Sequence, residues 1–143
     1  RARANFKPLN NLNFSLQYGY RYRKEDVKPG INYGANLGYS MLPMLESSAN
    51  VSFNRIISSY VDGYIYSANL SKSIYSLRSD LSFGFRKTIY NFSSGIDKLE
   101  ENSVLIDLSL NVFKPFLLSI SYEGVFESTN TTGRILFDLT TRF

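Results

Sequence analysis

From Leu12 onward, apolar and polar side chains alternate with period two almost to the last residue. In "LNFSLQYGYRY" Leu12, Phe14, Leu16, Tyr18, Tyr20 and Tyr22 share one face, and Asn13, Ser15, Gln17, Gly19 and Arg21 share the other. In "INYGANLGYSM" the apolar set is Ile31, Tyr33, Ala35, Leu37, Tyr39 and Met41, against Asn32, Gly34, Asn36, Gly38 and Ser40. Successive side chains of a strand point to opposite faces, so this spacing predicts half-buried strands. Further strands are predicted near Ala49–Tyr60, Tyr64–Lys72, Ser76–Tyr90, Val104–Phe113 and Phe116–Glu127, and an eighth in the terminal "GRILFDLTTRF". No segment carries a helical period. The links "RKEDVKPG", "LPMLESS", "YVDG", "SGIDKLEEN", "FKP" and "ESTNTTG" are turn-rich and short, which predicts an antiparallel meander.

The polar face is small and uncharged over long stretches, made of Asn, Ser and Gly with a few Arg, Asp and Glu. A water-facing sheet normally carries more Lys, Glu and Thr, with charge guarding its edges. Tyr20, Tyr22, Tyr39, Tyr60, Tyr64, Tyr66 and Tyr122 fall near strand ends on the apolar face. Aromatic belts around an aliphatic band are expected where a barrel meets two membrane–water interfaces. Only a helix or a closed barrel pairs every backbone group in lipid, and strands of about 9–11 residues are the barrel solution. The links at one end of the array are longer and more charged than those at the other, with "YVDG" as a short exception.

These features resemble a bacterial outer-membrane β-barrel, and "ILFDLTTRF" resembles the C-terminal signal of that class. The resemblance is to the class and to no family within it. It implies an all-β, transmembrane, antiparallel up-and-down barrel of about eight strands, with residues 1–143 as a single domain. It implies a Gram-negative cell-envelope protein in the outer membrane, contacting the lipid bilayer and lipopolysaccharide. It also implies recognition by the barrel-assembly machinery through Phe137, Leu139, Thr141 and Phe143, where Thr141 departs from the aromatic usual at its position. Other envelope proteins, or further strands of the same barrel, are the remaining partners.

Two extents fit. Length favours a complete eight-stranded barrel. The likeness of "ANFKPLNNLNFSLQY" to "NVFKPFLLSISY" favours the C-terminal part of a larger barrel, with Ala2, Ala4 and Phe6 as the tail of a ninth strand. The opening "RARANF" is not a signal peptide and fits a processed or partial chain. Arg55 sits in the apolar register of Val51 and Phe53. Either a β-bulge near Asn54–Ile56 turns it inward, or it lies near a rim and its stem snorkels.

Composition narrows the function. The chain has 143 residues, which suits one domain, and no stretch approaches the roughly 20 apolar residues of a membrane-spanning helix. It has no Cys, His or Trp, but 11 Tyr and 11 Phe. Without His there is no Ser–His pair and no His general base. Without Cys there is no disulfide or thiolate metal site. The expected protein is therefore not an enzyme and holds no cofactor, metal or catalytic residues. The net charge of +4 is spread without a basic run, so no nucleic-acid partner is expected. Arg78, Asp80, Arg86, Asp107, Glu123, Asp138 and Arg142 are expected to form an interior polar network. Lys24, Glu25, Asp26 and Lys28, and Asp97, Lys98, Glu100 and Glu101, are read as solvated loop charge.

The function expected is a structural, scaffold or partner-binding barrel with a polar interior and a lipid-facing exterior. The alternative is the porin-like wall of a larger pore or transport conduit, since Asn, Ser and Gly are thin filling for a closed core. A soluble, lipocalin-like ligand-binding barrel is the third reading.

Overall fold

Alternating β-branched, aromatic and small polar residues favour the pleated backbone, and in the computed structural model they form one antiparallel sheet. It describes residues 1–24, 26–42, 47–74, 78–93, 98–113, 116–127 and 130–141. The strands are β1 (Ala2–Leu9), β2 (Leu12–Arg21), β3 (Gly30–Tyr39), β4 (Ser47–Ile57), β5 (Val61–Ile74), β6 (Ser79–Phe92), β7 (Lys98–Phe113), β8 (Phe116–Glu127) and β9 (Thr131–Thr141). They lie in chain order, each bonded to the next. Ser58 shapes the β4–β5 turn, its hydroxyl accepting from the amides of Tyr60 at 3.2 Å and Val61 at 3.1 Å.

The sheet is open. β1 and β9 are its two edges and do not pair with each other. This overturns the closed transmembrane barrel, and with it the outer-membrane and porin-like assignments and the partners they implied: bilayer, lipopolysaccharide and assembly machinery. The pore wall and the lipocalin-like barrel fall for the same reason. Strand count supplies a physical cause. Ala2–Leu9, read as a lead-in or a tail, is a full strand of eight residues. Nine strands in a meander leave β1 and β9 running in the same direction, so closure would need a parallel seam. Antiparallel up-and-down closure goes with an even count.

Several segments read as links are strand. Val61–Gly63 of "YVDG" and Ser71–Ile74 lie in β5, and Lys98–Asn102 lie in β7. The bulge expected near Asn54–Ile56 is absent. β4 keeps unbroken register with β3 from Ala49 to Ile57 and with β5 from Ser47 to Ile57. Register shifts occur instead between Phe6 and Leu9 and between Asn111 and Phe113.

A one-layer sheet has nothing to bury its apolar face against. Among the described residues no hydrophobic side chain is buried. The accessible surface is 10706 Å². A compact monomer of this mass would expose about 7,500 Å².

Candidate functional site

The polar face is built from cross-strand pairs, some directly opposite, some diagonal and one spanning a strand. Ser48 meets Ser71 at 2.6 Å and Ser52 meets Ser67 at 2.7 Å across β4 and β5. Asn36 and Asn50 exchange amide hydrogen bonds at 2.9 and 3.2 Å. Gln17 of β2 reaches over β3 to donate to Asn54 Oδ1 of β4 at 2.6 Å, and it does so above Gly34. A Cβ at Gly34 would run into Asn54 Oδ1 and lie 2.8 Å from the Phe53 carbonyl oxygen. At one end of this face Lys7, Asn10, Asn13, Ser48, Asn50 and Ser71 line an open groove of about 410 Å³.

The residues expected to form an interior network lie on this open face as separate pairs. Asp80 accepts from Ser73 at 2.6 Å and Asp107 from Ser82 at 3.0 Å. Glu123 accepts from Arg134 Nε at 2.6 Å, and Asp138 from Thr140 at 3.0 Å. Arg86 and Glu123 line one shallow depression with Ser67, Asn69 and Ser103. Arg78 precedes β6 with φ 47°, and its carbonyl accepts from the Asn111 amide and from Asn111 Nδ2, both at 3.1 Å. Arg142 lies outside the described residues, as does Phe143. Phe137, Leu139 and Thr141 line the apolar side of edge strand β9 and are exposed. A role for them as an assembly signal went with the barrel.

The apolar face carries charge, beginning with Arg55, whose place in the apolar register the sequence already showed. Arg55 stays on this face and is met by Asp62, Tyr33 and Tyr64. Its Nε donates to Asp62 Oδ1 at 3.3 Å and its NH2 to Oδ2 at 3.2 Å. NH1 donates to the Tyr33 hydroxyl at 3.1 Å, and the guanidinium carbon lies 4.8 Å from the centre of the Tyr64 ring. These bonds, to Asp62 first and Tyr33 second, push the Arg55 pKa up. Phe53 stacks beside them, its ring centre 6.4 Å from those of Tyr33 and Tyr64 and 5.2 Å from that of Tyr66.

A second cluster lies in the same lateral row, which runs Tyr33, Arg55, Tyr64, Ile89, Glu100 across β3 to β7. Lys87 Nζ is 2.7 Å and Lys98 Nζ 2.9 Å from the Glu100 carboxylate. Hydrogen bonds from Lys87, then Lys98, hold the Glu100 carboxyl down at about 2. Lys98 and Glu100, expected in a loop, are strand residues. The signal available was parity. Once "YVDG" is read as strand, Asp62 falls on the same face as Arg55, next to its partner row.

No group of three or more carboxylates is placed to hold a metal ion among the described residues. Arg55 is held by Asp62, Tyr33 and Tyr64, which suits a structural role. What the arrangement offers is surface: a broad apolar face with the Arg55 and Glu100 clusters in one row and Lys72 near the opposite end, and, among the described residues, two unpaired strand edges. Comparisons of the chain with family models, with curated proteins and with solved structures find no match.

Proposed function

We propose that this chain is a non-catalytic, self-assembling structural sheet, and that its apolar face is covered by the same face of a second copy. One observation carries the reading. A chain that is 43% hydrophobic buries no hydrophobic side chain among the described residues. Its surface exceeds that of a compact monomer by about 3,000 Å², the scale that obligate association removes.

The occupant is argued from geometry. Two sheets packed face to face sit about 10 Å apart and interdigitate their apolar side chains. An identical sheet matches this one in width, and twofold pairing is the commonest symmetry. Leu16, Leu37, Val51, Leu70 and Phe83 supply a band of exposed apolar side chains, away from the Arg55 and Glu100 clusters. The non-catalytic part is supported by the lack of His and Cys, and by carboxylates held by hydroxyls or cations.

Sedimentation of the full chain tests the proposal. The expected result is a dimer or larger species at micromolar concentration, weakened by Phe83→Lys. A strand-rich 16.3 kDa monomer that persists at every concentration overturns it.

A further inference from the structure

Among the described residues, the outer edge of β9 has no strand beside it. An unpaired edge is a row of free amides and carbonyls that templates another strand. The sequence of β9, "TTGRILFDLTT", reads nearly as its own complement about Leu136. We propose that β9 pairs antiparallel with β9 of a second copy, on a twofold axis at Leu136. This deepens the self-assembly reading and rests on it: face packing adds a layer, and edge pairing widens the sheet.

The register follows from charge and parity. About Leu136, Arg134 stands opposite Asp138 of the second copy, and Asp138 opposite its Arg134. Ile135 stands opposite Phe137, Thr132 opposite Thr140 and Thr131 opposite Thr141. Each pair joins residues of the same face, since Thr132, Arg134, Leu136, Asp138 and Thr140 are polar-face positions and Ile135 and Phe137 are apolar-face positions. The two sheets therefore continue each other with both faces aligned. Opposite charges directly across a ladder favour pairing. A shift of two residues puts Arg134 opposite Leu136 or Thr140 and leaves both charges unmatched. A shift of one residue sets polar side chains against apolar ones.

The side chains are available. Every residue of β9 is exposed, and Asp138 accepts only from Thr140 among the described residues. Arg134 already holds Glu123 through one carboxylate oxygen, and its side chain stays exposed. The opposite edge is unlike this one. β1 carries Arg3 and Lys7, which would repel their copies, and Pro8, which has no amide to donate. The edge chemistry thus selects β9 for symmetric pairing.

Single-cysteine variants of the full chain test the proposal, since the native chain has no Cys. At a twofold axis Leu136→Cys meets its own copy at about 4.5–5.5 Å between Cα atoms, within disulfide reach. Leu105→Cys is the control, an exposed polar-face position in internal strand β7. Under mild oxidation, L136C is expected to cross-link at least tenfold faster than L105C. A mixture of Arg134→Cys and Asp138→Cys chains should give the mixed dimer in preference to either homodimer. Strand content by circular dichroism checks that each variant folds. If the chain assembles but L136C links no faster than L105C, the edge pairing is overturned and the self-assembly reading stands. A monomer at every concentration overturns both. Fast L136C linking in a protein whose assembly ignores Phe83→Lys supports the edge and removes the face.

Discussion

Arg55 and Asp62 meet through two hydrogen bonds on the apolar face, diagonally across the ladder and two residues out of direct cross-strand register. The arginine is 28% exposed and the aspartate 43%. Tyr33 and Tyr64 also meet the guanidinium, so the charge is held in place by three side chains. A cation on an apolar face is tolerated here because a bidentate acid partner lies within reach on the neighbouring strand.

That geometry makes the pair a unit. Arg55→Ala and Asp62→Ala are each expected to lower the melting temperature by a few degrees. The double variant should lose less than the sum of the two. Arg55→Lys should behave like Arg55→Ala, because an ammonium cannot fork onto both carboxylate oxygens. Strict additivity in the double-mutant cycle would show that the pair contributes nothing as a pair.

Gly34 is expected to be the least replaceable glycine of the polar face. The Gln17–Asn54 bond passes above it, and the Phe53 carbonyl blocks the remaining space. Gly34→Val should destabilise the sheet by about 1–3 kcal/mol through overpacking. Gly30→Ala should change stability by less than about 0.5 kcal/mol, because its nearest neighbour would be the Arg21 carbonyl oxygen at 3.6 Å. Urea unfolding of the two variants measures the contrast. Equal losses would remove the steric account.

Glu100 provides a pH signature. Its folded pKa, about 2, lies below the unfolded value of about 4.3. A depressed carboxylate contributes stability that is present above the unfolded pKa and is lost as pH falls through the folded one. The stability difference between the native chain and Glu100→Gln should therefore be full at neutral pH and vanish between about pH 4.5 and pH 2. It should also shrink in high salt, because the cluster is partly exposed. A difference that does not change with pH would mean the two lysines do not hold the carboxylate.

The alternation of Leu12–Tyr22, Ile31–Met41 and Val104–Phe113 made the strands, their antiparallel order and the composition of the two faces readable from the chain alone, because a period of two is a property of the backbone. The small Asn, Ser and Gly of the polar face were visible in the same way, though not that Gln17 would span Gly34 to Asn54. Ala2–Leu9 was harder to count, since the alternation of Ala2, Ala4 and Phe6 is short, and the ninth strand depends on its ladder with β2.

Closure was beyond the sequence. Whether a meander curls into a barrel depends on the pairing of its two edges, which are far apart in the chain and leave no mark in local periodicity. Parity settled the neighbourhood of Arg55: once the turn after Ile57 is three residues long, Asp62 lands on the apolar face, and only the folded ladder sets that length. Local alternation is dictated residue by residue. Edge pairing and cross-strand partners are decided by register, which is a tertiary quantity.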